Sequence, residues 1–156
     1  MVMRIVAASR GTGQWSPYAK RQRNLGFFAY GHEFLQVALK TGSPLVRAHL
    51  LGHALELMLK TYLLTQGWGE RKLRTLKHNL ARALTESRAA GLDRLVHLSS
   101  ETESAVRALS GLHASEALRY FSILHLLSPP RLPDLARVLR FARTLDTRLA
   151  AHLRAA

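Results

Sequence analysis

The stretch from Pro44 to Gln66 constrains the fold of this chain more than any other. It is apolar around most of a helical circumference, opens on a proline that suits a first helical turn, and is closed by Gly67-Trp68-Gly69. A helix that is greasy on nearly every side must be covered on nearly every side. A bilayer is a poor cover, because the greasiest part, Leu50 to Leu64, carries His53, Glu56 and Lys60. The sequence therefore predicts a central helix with other helices packed around it.

Those neighbours can be read from their own punctuation. A first helix starts near Pro17 and runs to about Lys40, where Thr41-Gly42-Ser43-Pro44 stops it; Leu25, Phe28, His32, Leu35 and Leu39 fall on one face. A third spans about Asn79 to Ala90, with Gly91 as its stop. A fourth region covers about Asp93 to Phe121. Ser100 and Glu103 have capping-box spacing, which leaves open a break into two helices, and Ser110-Gly111 is a candidate kink. Ser128-Pro129-Pro130 interrupts the chain. A last helix runs from near Pro133-Asp134 to about Arg154, with Leu135, Val138, Ala142, Leu145, Leu149 and Leu153 as its apolar stripe. No repeat, low-complexity tract or strand alternation competes. The expectation is one all-α domain, an up-and-down helical bundle of about five helices, with residues 1–16 a short strand or flexible tail.

Length and composition fit that reading. The 156 residues are enough to bury a core, and 47% hydrophobic content is ordinary for a globular domain. The absence of cysteine excludes disulfides, thiolate metal sites and a cysteine nucleophile, and fits a cytoplasmic setting. Met1 to Ser9 is apolar but too short for a secretory signal, and Arg4 interrupts it. The last helix is basic and amphipathic, but with Phe141 as its only aromatic anchor it is read as packing on the bundle, not as lying on a membrane.

The formal charge of +13 points to a polyanionic partner, RNA before an acidic protein. Arginine heavily outnumbers lysine, and its planar fork suits phosphate. Two groups are the candidate nucleic-acid face. Lys20, Arg21 and Arg23 sit in the first turns of the first helix, the wrong end for the helix dipole, and Arg137, Arg140 and Arg148 point away from the last helix's apolar stripe.

The central helix carries one polar stripe. His49, His53, Glu56 and Lys60 follow at steps of four, three and four, so all share a face, and Glu56 can pair with Lys60 across one turn. Such a stripe must face a cleft, a partner subunit or buried partners of its own. His49-His53-Glu56 also has helical metal-site spacing, but a zinc motif of the usual kind sets its glutamate directly after the first histidine, so no metal and no cofactor are assigned. Lys77-His78-Asn79-Leu80 opens the third helix, and Arg119-Tyr120-Phe121 ends the fourth region.

Taken in order, Glu56 to Leu64, Gly67, His78-Asn79-Leu80 and Arg119-Tyr120 resemble the HEPN domain family over roughly Leu25 to Leu149. That family shows an acidic residue and a lysine on its second helix, a His-polar-Leu start to its third, and a later Arg-Tyr pair. The resemblance implies a small helical bundle that dimerises and places His49, His53, Glu56, Lys60, His78, Asn79 and Tyr120 along a cleft. Several members are metal-independent ribonucleases with an arginine followed four to six residues later by a histidine. Histidine then moves the proton at the ribose hydroxyl or leaving oxygen, and arginine steadies the phosphate.

Four arginine–histidine pairs come near that spacing here: Arg47/His53, Arg71/His78, Arg107/His113 and Arg119/His125. Spacing alone does not choose among them in so basic a chain. Arg119/His125 is the candidate catalytic pair because Arg119 also belongs to the Arg-Tyr motif. It departs from the family in having Tyr120 where a polar residue is usual, and in the apolar surroundings of His125. The leading expectation is thus a non-catalytic dimeric module that binds RNA or a protein partner, as in a toxin–antitoxin or phage-defence system, where that partner would be an antitoxin or defence component. The alternatives are a metal-independent endoribonuclease and a basic helical adaptor for an acidic protein.

Overall fold

A computed structural model describes residues 15–115 and 127–155. The tail expected over residues 1–16 thus lies almost wholly outside the described residues. Those residues contain helices and no strand: α1 (Pro17–Lys40), α2 (Pro44–Thr65), α3 (Glu70–Arg74), α4 (Leu80–Ala89), a 3-10 turn (Leu92–Arg94), α5 (Ser100–Ala114) and α6 (Leu135–Ala155). The all-α bundle expected from the sequence is the architecture found. No described helix is long and apolar enough to cross a membrane.

Helix α2 is the axis. It packs against the five other helices of the described residues, while α1, α4, α5 and α6 also meet their neighbours around it. Ala48, Leu51, Ala54, Leu55, Met58, Leu59 and Leu63 are completely buried along its length. Fully burying one such leucine is worth about 1.5–3 kcal/mol, so this helix supplies much of the apolar burial that closes the bundle. The expected stripe of α6 meets it, with Val138, Ala142, Leu145, Leu149 and Leu153 buried and Phe141 joining them.

Side-chain caps fix where most helices begin. Ser16 and Ser43 accept from the N–H groups of Ala19 (3.2 Å) and Val46 (3.4 Å), each ahead of a helix-opening proline. Asn79 accepts from Arg82 N–H (2.9 Å) to start α4. The break in the fourth region is real, but its cap is Ser99, which accepts from Thr102 N–H (3.2 Å), one residue ahead of the expected Ser100. Gly91 turns the chain at φ 98° after α4, a conformation that favours glycine. Helix α5 continues through Ser110-Gly111 without a break, and Ser110 Oγ accepts from Ala81 N–H at 2.9 Å.

Two details depart from the sequence reading. The buried face of α1 coincides only in part with the stripe Leu25, Phe28, His32, Leu35 and Leu39: Leu35 is buried and Phe28 packs on the core, but Leu25 and Leu39 are each 36% exposed. Its buried residues are Gly31, Leu35 and Ala38, with Phe27, Phe28 and Phe34 beside them. Side-chain size explains the shift. A Cβ on Gly31 would lie 3.2 Å from Leu57 Cβ and 3.3 Å from Ala54 O, so α1 approaches α2 along its smallest residues. The short helix α3 was not expected either; Leu73 and Leu76, both buried, pin it to the bundle despite its charged sequence.

Candidate functional site

Glu56 is the hub of the polar stripe. It lies mid-helix in α2, is 5% exposed, and gathers three donors from three parts of the fold. Lys60, one turn on, donates to Oε1 at 2.5 Å. His113, from the last turn of α5, donates through Nε2 to Oε2 at 2.7 Å. His78, from the entry to α4, holds its Nδ1 3.2 Å from both oxygens. Burial works against the charged carboxylate, but the hydrogen bonds from His113, Lys60 and His78, with the Lys60 charge, outweigh it and bring Glu56 from 4.5 down to about 2. The group is a carboxylate at any physiological pH.

The approach of His113 depends on Gly52. A Cβ there would lie 2.6 Å from His113 Nδ1, so only a bare α-carbon lets the ring lie against α2. His113 has no exposed side-chain surface, and its Nδ1 is buried without a hydrogen-bond partner among the described residues. His53 stands edge-on to His113 with ring centroids 4.8 Å apart, and its face stacks on Phe34 at 5.2 Å. His49 completes the row, edge-on to His53 at 4.7 Å. One nitrogen from His53, one from His113 and a Glu56 oxygen fall within 4.8 Å of one another.

His78 differs from the rest of the cluster. Its side chain is 56% exposed, so the ring is held through Nδ1 by a buried carboxylate while much of it meets solvent. Its backbone is also held. Lys60 Nζ donates to the Lys77 carbonyl at 2.8 Å, and Lys77 sits at φ 48°, in the left-handed region that costs a residue with a Cβ about 1 kcal/mol. The Glu56–Lys60 pair thus sets both the ring of His78 and the bend that delivers it.

No family model, curated protein or solved structure matches this chain. What it does must be argued from the cluster and its surroundings.

Of the expected cleft residues, His49, His53, Glu56, Lys60 and His78 come together. Asn79 instead spends its side chain on the α4 cap. Tyr120 and the candidate catalytic pair Arg119 and His125 lie outside the described residues. In two of the other arginine–histidine matches the arginine is engaged with other groups. Arg47 donates to the carbonyls of Ala38 (3.1 Å) and Thr41, closing the C-terminal end of α1, and Arg107 is bound to Glu103 and Thr85.

The expected basic face divides as well. Lys20, Arg21, Arg140 and Arg148 are exposed. Arg23 has 11% side-chain exposure, lies 5.7 Å over the Trp15 ring and is 3.8 Å from Glu70, so it ties α1 to α3. Arg137 reaches Asp134 at 3.4 Å and, with Arg140 and His97, lines a pocket of about 190 Å³ against α6.

Sequence reasoning missed two things. His113 appeared only as one half of a spacing match; its place beside the α2 stripe depends on how α5 packs, although Gly52 between His49 and His53 marks where another group comes close. The second is a set of exposed cations beside His78: Arg71, Lys72, Arg74, Lys77 and Arg82. Lys72 lies 3.8 Å over the Trp68 ring, and Arg74 makes only a long contact of 3.8 Å with Glu70.

Proposed function

We propose that this chain is an RNA-binding helical domain of the HEPN-like kind its sequence resembles, and that it engages RNA at the surface around His78. The observation that carries the reading is an exposed imidazole, anchored by a buried ionised carboxylate and flanked in sequence by five exposed cations over residues 71–82. In this reading the cations take backbone phosphates and the free edge of His78 meets a ribose hydroxyl or a phosphate oxygen. The +13 charge supports a polyanion as the partner. Tyr18 and Tyr30 on α1 and Trp15 just ahead of it, all large and exposed, support the homodimer that the resemblance implies. A place in a toxin–antitoxin or defence module rests on the resemblance alone.

The test is binding of labelled single-stranded RNA across a salt series, for the parent and for Lys72→Glu/Lys77→Glu. The parent should bind with strong salt dependence and the double variant should bind weakly. Equal binding by both would move the interface away from His78.

A second reading, a metal-independent endoribonuclease, is favoured by the His78–Glu56 geometry. A carboxylate that fixes one imidazole nitrogen leaves the other for proton transfer. Cleavage that His78→Ala abolishes while RNA binding persists would support catalysis; binding with no cleavage in the parent supports the module.

A further inference from the structure

We infer that His53, Glu56 and His113 form a binding site for one divalent transition-metal ion of the zinc class. The inference stands on side-chain geometry and is independent of the RNA reading. His53 and Glu56 are three residues apart on α2 and project on one side, and His113 comes from the facing helix α5. That is how metal sites are built between the helices of a bundle. Two imidazoles and a carboxylate are a donor set that zinc takes, with a fourth position left for water or another ligand.

The dimensions are close to those required. Zinc bonds to nitrogen and oxygen of roughly 2.0–2.2 Å put neighbouring ligand atoms about 3.3 Å apart in a tetrahedron. The three donor atoms now lie within 4.8 Å of one another, with His113 Nε2 and Glu56 Oε2 at 2.7 Å. An ion between them widens the short contact, draws His53 inward, and replaces the proton that Nε2 shares with Oε2. A neutral ring carries that proton on Nδ1 instead, and because an imidazolium must first lose a proton to ligate, binding weakens as pH falls.

The surroundings of the donors are already organised. Phe34 stacks on the face of the His53 ring, and Gly52 makes room for His113. Such outer contacts orient first ligands and set their basicity. Lys60 also opposes a second cation beside Glu56, which gives the site a signature that adventitious histidine binding lacks: neutralising Lys60 should tighten it.

The experiment uses untagged, chelator-stripped protein titrated with Co²⁺, read by visible absorption, with no RNA present. The expected result is one equivalent bound, with the intense bands of a four- or five-coordinate ion that disappear on addition of Zn²⁺. His53→Gln and His113→Gln should abolish the bands while far-ultraviolet circular dichroism stays helical. Lys60→Gln should raise affinity on the order of tenfold. If His113→Gln fails to fold, the half-buried His53 decides the question. The proposal is overturned if the parent shows only the weak spectrum of the hydrated ion. It is equally overturned if a folded His53→Gln binds as the parent does, or if Lys60→Gln leaves affinity unchanged. Because RNA is absent, failure here leaves the RNA reading standing, and failure of RNA binding leaves the metal site standing.

Discussion

Replacing Glu56 by glutamine keeps the shape of the side chain and removes its charge, isolating what the ionised carboxylate contributes. In the folded chain Glu56 titrates near 2 in place of 4.5. A depression of that size corresponds to about 3 kcal/mol favouring the charged form, at 1.36 kcal/mol per unit. The sign follows from linkage. Because the folded value is depressed, the stability is fully present above about pH 5 and is lost as pH falls through the folded value near 2. Glutamine titrates at neither end. Urea unfolding of parent and Glu56→Gln at a series of pH values should give a gap of about 3 kcal/mol at pH 7 that closes as pH approaches 2. Other carboxylates cancel in the difference. A gap that stays constant with pH, or stays under about 1 kcal/mol throughout, would refute the hub as described.

Gly52→Ala places a methyl group 2.6 Å from His113 Nδ1 and should cost about 1–3 kcal/mol while pushing His113 off Glu56, a shift visible in the histidine ring signals by NMR. Asn79→Ala removes the α4 cap and should cost about 1 kcal/mol in chemical unfolding, with RNA binding unchanged if the side chain is only a cap. For single-stranded RNA, each cation of the 71–82 set that contacts phosphate and is removed should lower the slope of log affinity against log salt by about 0.7. An unchanged slope for Arg74→Ala would exempt that residue. Replacing Glu56 and His113 together by leucine and phenylalanine removes both ends of the shortest buried histidine contact but strands Lys60, and should cost on the order of 1–3 kcal/mol in chemical unfolding. The same pair should weaken RNA binding, measured in the assay above.

What the sequence disclosed and what it withheld follow physical lines. Helix ends were legible because prolines, serines and glycines act locally: Pro17, Pro44, Asn79 and Gly91 each sit where their backbone chemistry is used. The α2 stripe was legible because it lies on one element, where spacing alone fixes a face. The buried face of α1 was legible only in part, through Phe28 and Leu35, since it was chosen by which residues are small enough for α2 to approach, and hydrophobic periodicity gives Gly31 and Ala38 little weight. His113 was hidden for a related reason. Its sequence position says nothing about α2, and only the packing of α5 onto Gly52 brings it to Glu56. The stray arginines show the converse: Arg47 and Arg23 look like ligand-binding charges in sequence, yet one closes a helix end and the other bridges two helices.

The cost of the hub bears on what it is for. At position 56 a leucine, with apolar residues also in place of His113 and Lys60, would continue the apolar circumference of α2, so core packing alone gives no reason for a carboxylate there. The favourable balance of about 3 kcal/mol for the charged over the neutral form does not alter this, since it compares two protonation states and not a polar core with an apolar one. What the carboxylate does that leucine cannot is act at a distance from the core. Through its own oxygens it orients the ring of His78, and through Lys60 it steadies the left-handed turn at Lys77. Both effects end at the one ring bonded to the carboxylate that is mostly in solvent. The polar groups buried around Glu56 thus bear on a surface position, the one that the proposed RNA reading sets against a phosphate backbone.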